Sequence, residues 1–189
     1  MEKMKRMSME TLRNEFPEIE KTEQSYYVGK AKYLYNSVRN DWDKVSDEGT
    51  SEGHDYMTVQ NDYGEFVQVE IGAGQGQNIK DKAYIPAGNA QKIFEMMAKN
   101  TKWEWGMTIQ NTGMATFYTD KKNDGVDQRV APSGTSRVVH SHTSVGTPSE
   151  EYDLVNAANY SGVTWTLYYN GQYRDFNKDG FYGEWRKDL

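Results

Sequence analysis

No cysteine occurs in the 189 residues. Disulfide staples, zinc ribbons and thiol nucleophiles are therefore excluded, and any bound metal must be held by His, Asp or Glu. The missing cysteines leave the compartment open, since a cysteine-free chain tolerates both reducing and oxidising surroundings. There is also no long Lys/Arg stripe. The one basic cluster, Lys3, Lys5 and Arg6, is diluted at once by Glu10 in a chain of net charge −6. A nucleic-acid partner, which needs a basic face, is not expected. No apolar run nears the roughly 18 residues of a membrane span. Residues 1–25 are charged throughout and lack the apolar stretch of a signal peptide. The expectation is no membrane partner, and a cytoplasmic location or export by a route that needs no classical leader.

What is present suits one compact domain with an N-terminal attachment. Charged residues make up 26% and hydrophobic ones 36%. The mean hydropathy of −0.93 points to loops and an exposed end. The 13% aromatics are enough to anchor a core.

Residues 1–15 read as helical up to Pro17. A second helix is predicted over about 25–45, where Tyr27, Ala31, Leu34, Tyr35, Val38 and Trp42 fall at helical steps. Residues 46–62 read as a polar loop in which His54 is solvated. Alternation predicts a strand over 64–71. The run GAGQGQN at 72–78 lacks the G-K-[ST] frame of a phosphate loop and reads as a flexible turn. A helix over 87–100, with Asn89 as its cap, buries Ile93, Phe94, Met97 and Ala98. Strands follow at 103–110 and 114–118, then a polar loop at 120–136 and a short strand running into His140. A helix from about 149 to 160 precedes a hairpin, 163–169 and 172–176, turned by Asn170-Gly171. The tail folds against the sheet. The order predicts an α+β (α/β-like) fold, a mixed sheet flanked by helices, divided into a helical extension over 1–62 and a domain over 63–189 with its core at 87–176.

The chemistry concentrates at His140-Ser141-His142. Residues i and i+2 of a strand share a face, so both imidazoles can converge on one point. Asp153 lies eleven positions beyond His142, where the turn and helix can bring it back to the strand end. Two His and one carboxylate leave a fourth tetrahedral position for water, the pattern of a catalytic rather than a structural zinc site. A zinc-activated water still needs a carboxylate to move its proton. Glu104, between Trp103 and Trp105, fits that role. Glu65 and Glu70 are rival bases. By spacing alone, a histidine pair without metal accounts for the motif equally well.

The stretch from Val138 to Asp153 resembles the JAMM (MPN-type) metallopeptidase motif: a His-x-His pair, ten residues, then an Asp. The flanking pattern agrees over roughly 87–176, with a helix and a Glu-Trp-Gly strand start before it, and Ala157-Ala158, Gly162-Val163 and a hairpin after it. This form is similar to the JAB-like domains of bacterial polymorphic toxins. The resemblance implies a JAMM/cytidine-deaminase-like core, zinc on His140, His142 and Asp153, Glu104 as acid/base and a serine that supports the oxyanion. It also implies a protein or peptide substrate cut at a peptide or isopeptide bond, with an immunity or delivery partner if the chain is a toxin. Two positions depart from the motif. Thr143 stands where the family has Pro, and Glu150 stands in the serine position, so Ser149, one residue early, is the candidate for that role. A catalytically inactive protein-binding module of the same fold is the alternative.

Overall fold

The computed structural model describes residues 30–48, 54–81, 83–125 and 133–189. The described residues hold two mixed sheets and three helices, with strand as the main element. In chain order these are β1 (Lys30–Asn36), β2 (Asp41–Glu48), β3 (Asp55–Gln60), β4 (Phe66–Ile71), α1 (Gln75–Lys80), β5 (Ile85–Pro86), α2 (Ala87–Asn100), β6 (Gly106–Gln110), β7 (Met114–Tyr118), β8 (Thr135–Ser141), α3 (Asp153–Asn159), β9 (Thr164–Tyr169), β10 (Gln172–Asn177) and β11 (Gly180–Arg186). Among them no helix is long and apolar enough to cross a membrane.

The helix predicted over 25–45 is corrected: its described part is the β1–β2 hairpin. The helical stripe would bury Leu34 and Val38, yet Val38 is 88% exposed. The buried set is Ala31, Tyr33 and Tyr35, which alternates with period two. Aromatic residues at that period fit a pleated, half-buried surface better than a helix. At the turn Asn40 takes a positive φ of 54°, and Asn36 Oδ1 accepts the Val38 and Arg39 amides. The helix predicted over 1–15, and Tyr27, lie outside the described residues.

The first sheet has the order β2-β1-β3-β4, with β1 and β3 parallel. The 62/63 division falls in the β3–β4 turn, and the strands on either side of it pair with one another. Its inner face shares one core with the second sheet: Tyr35 meets Trp103 and Trp105 edge-on at 6.1 and 5.6 Å. In its described residues, then, the N-terminal part is a sheet built into the common core.

The glycine-rich run is not a free turn. Gly74, at φ 73°, opens the short helix α1, and the Gly76 amide donates to Asp55 Oδ2 at 2.8 Å. A Cβ on Gly76 would lie 2.2 Å from the Tyr33 ring. Helix α2 starts at Ala87 with Pro86 as its cap residue, three positions before Asn89. Pro86 presets the backbone, and the Ala87 amide donates to the Gly113 carbonyl.

The second sheet has the order β11-β10-β9-β8-β6-β7-β5. Only β8 and β9 run parallel in it, so the chain must cross over between them, and α3 lies on that crossover. This crossover sets the site: it returns residues 149–159 to the carboxyl end of β8. The Asn170-Gly171 turn has both φ values positive, 49° and 76°, as a two-residue hairpin of right-handed twist requires.

Gly76→Ala is expected to destabilise the protein by about 1–3 kcal/mol, because the methyl group must displace a fully buried ring. Urea unfolding of the variant beside the parent protein checks this through the midpoint.

Candidate metal centre

The β8 sequence RVVHS is buried from Val138 to Ser141. Cross-strand neighbours share a face, so His140, opposite Leu167, lies with the Leu167 and Phe176 cluster. The Phe176 ring stands edge-on to the imidazole at 5.7 Å. Ser141 turns the other way, and its Oγ accepts the Trp105 amide at 2.9 Å. His142 follows at the strand end. Its Nδ1 lies 3.1 Å from the Val145 carbonyl oxygen, a contact that calls for a proton on Nδ1 and so turns Nε2 to the ligand side.

Asp153 is the first residue of α3 and is 4% exposed. The helix is shorter than predicted; residues 149–152 form the turn before it. Ser149 holds that turn. Its Oγ accepts the Tyr152 and Asp153 amides at 3.1 and 3.3 Å, and its own amide donates to Asp153 Oδ2 at 2.7 Å. This reciprocal pair works like a helix cap.

The crossover brings three ligand atoms together. His140 Nε2 and His142 Nε2 are 3.1 Å apart, and Asp153 Oδ2 lies 3.3 Å from the first and 3.4 Å from the second. Such a triangle cannot be closed by hydrogen bonds along all three edges, because one N–H points along one direction only. It suits a common centre: ligands at 2.0–2.1 Å around a tetrahedral ion stand about 3.3 Å from each other. The group His140, His142 and Asp153 can therefore hold a metal ion.

Glu104 is 5% exposed and lies beside this group. Its backbone is fixed on both sides: its amide donates to the Lys122 carbonyl, and its carbonyl accepts Thr119 Oγ1 at 2.6 Å. The Thr143 amide donates to its carboxylate. Burial is the largest influence on that carboxyl and pushes its pKa above the ordinary glutamate range. His142, His140 and the Thr143 amide pull it down without cancelling this, and Asp153 adds to the rise. The indoles of the flanking Trp103 and Trp105 pack edge-on against Tyr35. At Asp153 burial acts upward, but His140, His142 and the Ser149 amide outweigh it and hold the carboxyl far below its usual range. At His142 burial acts downward, but Asp153, Glu104 and the Val145 carbonyl raise the pKa overall.

All five residues singled out from the sequence, Glu104, His140, His142, Ser149 and Asp153, meet here. The rivals Glu65 and Glu70 lie on the first sheet and its turn, bonded to Asn61 and to Tyr56 and His54 respectively. Sequence reasoning missed the supporting residues Thr143, Thr119 and Ser141. Of these only Ser141 carried a signal, since the period of two sends it to the opposite face from His140.

Compared with family models, curated proteins and solved structures, the chain matches none.

One divalent ion per chain is expected on titration. His142→Ala should weaken binding by more than the roughly 10–100-fold that loss of an outer-shell partner costs. Affinity should also fall as pH drops through the raised His142 pKa, because a protonated imidazole cannot ligate. Competition against a chromophoric chelator across the neutral-to-acid range measures both.

Proposed function

We propose that the chain is a zinc-dependent metallopeptidase of JAMM type that cleaves a peptide or isopeptide bond. The observation that supports this most is the buried His140, His142 and Asp153 triangle with Glu104, a second buried carboxyl, beside it. The donor set of two imidazole nitrogens and one carboxylate oxygen fits zinc and leaves a coordination position open. Zinc held there would supply an activated water and polarise the scissile carbonyl.

The chain's own residues would do the rest. Glu104 takes the proton from the attacking water and delivers it to the leaving amine. Its raised pKa brings it nearer to neutrality, where a group can both accept and donate. The Thr143 amide holds its carboxylate in place. Ser149 accepts two backbone amides but keeps its own hydroxyl proton, which leaves it able to donate to an oxyanion. The similarity of the motif to the JAB-like domains of polymorphic toxins makes an effector domain, with an immunity or delivery partner, the setting we favour.

One observation favours a second reading, an inactive binding module of the same fold. Ser149 already serves the turn before α3, and Glu150, exposed, stands in the motif's serine position.

Glu104→Gln separates the two readings. A catalytic base contributes roughly 10²–10⁴-fold, so cleavage of a peptide library by the zinc-loaded protein should fall by that factor while zinc content stays at the parent level. Unchanged cleavage would remove Glu104 from the mechanism. No cleavage by the zinc-loaded parent would leave the binding module.

A further inference from the structure

A cleft of about 620 Å³ opens beside the metal centre. His142 and Thr143 form one end, and Thr143 is the residue whose amide holds the Glu104 carboxylate. The chain has 28 acidic and 22 basic residues, yet the cleft is lined by Lys99 and Lys102 and by no acidic residue. Most of its hydroxyls are committed elsewhere: Thr143 Oγ1 donates to the Asn123 carbonyl and Thr101 Oγ1 to the Met97 carbonyl.

Tyr168 is the exception. It lines the cleft and is only 3% exposed, and its buried hydroxyl finds no acceptor for its proton among the described residues. Its ring is fixed from both sides by Phe94 at 5.4 Å and Tyr173 at 4.7 Å. The Lys99 ammonium lies 6.0 Å from the ring centre and acts on the phenol oxygen as a donor, so what remains without a partner is the phenol's own proton. Lys99 pairs with Glu95 at 3.2 Å, which uses one of its three donors. A buried hydroxyl left unpaired costs stability unless something else answers it.

We propose that this cleft is a substrate subsite for a carboxylate, received by the Tyr168 hydroxyl and the Lys99 and Lys102 ammonium groups. The inference rests on the peptidase reading for its biological sense: the enzyme would select peptides that carry an acidic side chain or a free C-terminal carboxylate close to the scissile bond. The carboxylate accepts a hydrogen bond from the phenol that nothing else in the described structure accepts. The two lysines supply charge in a wall that excludes the chain's own acids.

The test uses short fluorescein-labelled peptides that differ only in Glu or Gln at the central position, each made with a free and an amidated C-terminus. Binding is read by anisotropy on zinc-loaded Glu104→Gln protein, and cleavage on the zinc-loaded parent. The acidic peptide is expected to bind more tightly. In that background, Tyr168→Phe should weaken it about tenfold, as loss of a hydrogen bond to a charged group does. Lys102→Gln, at an exposed position, should weaken it about threefold. The Gln peptide should respond to neither change.

Tyr168→Phe also gives an independent readout. If the hydroxyl serves a ligand, removing it leaves the thermal midpoint unchanged or raised while binding falls. A lowered midpoint with unchanged binding would make it a structural group and overturn the proposal, as would equal binding of the Glu and Gln peptides. A preference that survives amidation assigns the side-chain carboxylate, and one lost on amidation assigns the terminal carboxylate. Selective binding without cleavage by the parent keeps the subsite and overturns the peptidase reading. Cleavage that ignores the carboxylate keeps the peptidase reading and overturns the subsite.

Discussion

Three lone-pair atoms crowd within 3.4 Å of one another at the end of β8, and much of the second sheet is arranged to hold them there. Two imidazoles come to that point through the period of a single strand. The carboxylate comes through topology. Asp153 is eleven residues further along the chain, and it returns because β8 and β9 are parallel and the crossover places the start of α3 over the strand end. An antiparallel return by a tight turn would leave no room for residues 142–163. The one parallel pairing in this sheet is therefore what gives the histidines their carboxylate, and the site lies at the carboxyl end of the strands, where open α/β sheets commonly place ligands.

The packing around that point is asymmetric. His140 is held by the hydrophobic Phe176 side of the sheet, whereas Ser141, one residue on, ties the strand to the Trp105 amide on the other side. That bond links β8 to the segment just before β6, and so to Glu104. The position of the candidate base is thus coupled to the ligand strand through backbone: the Trp105 amide to Ser141 Oγ, the Ser141 amide to the Trp105 carbonyl, and the Thr143 amide to the Glu104 carboxylate. Gly106 belongs to the same arrangement. It pairs with His140 on one side and Tyr118 on the other, and a Cβ there would lie 2.3 Å from the Tyr118 ring. The Glu-Trp-Gly sequence reads in three dimensions as candidate base, core anchor and clearance for a neighbouring ring.

How much of this the sequence disclosed depended on whether a signal was local. The strand over 66–71, the helix over 87–100 and the hairpin at Asn170-Gly171 were legible because period and turn chemistry act within a few residues. The two histidines were legible because the strand period puts them on one face, and Asp153 was legible from its place in the motif that the stretch resembles, whereas the crossover that returns it belongs to the fold. The β1–β2 hairpin was misread because Leu34, Val38 and Trp42 happen to fit helical steps, while the alternation that decided the outcome runs through Ala31, Tyr33 and Tyr35. Tyr33 is buried because Gly76, 43 residues away, leaves space for its ring, and no window on the sequence contains both. The Thr143 amide, the Tyr168 hydroxyl and the partners of Ser149 were illegible for the same reason. They are pairings, or the lack of them, set by the fold.

The electrostatics of the site follow from gathering acceptors where water is excluded. Asp153 keeps its charge because His140, His142 and the Ser149 amide surround it, whereas Glu104 and His142 are both drawn toward their protonated forms. Without a cation, protons are the only counter-charge that the buried group can recruit. A dication at the centre of the triangle would take over that role: it would displace a proton from His142, because the same lone pair serves both, and it would draw the Glu104 carboxyl back toward ionisation through its charge. The raised pKa of Glu104 comes first from burial, and the same dry surroundings leave the lone pairs of His140, His142 and Asp153 without solvent, which favours a metal ion among them. Burial alone moves the Glu104 carboxyl toward its protonated form. A base tuned by burial against an adjacent cation can sit near neutrality from either side, the condition under which a carboxylate can take a proton from water and give it up again to a leaving amine.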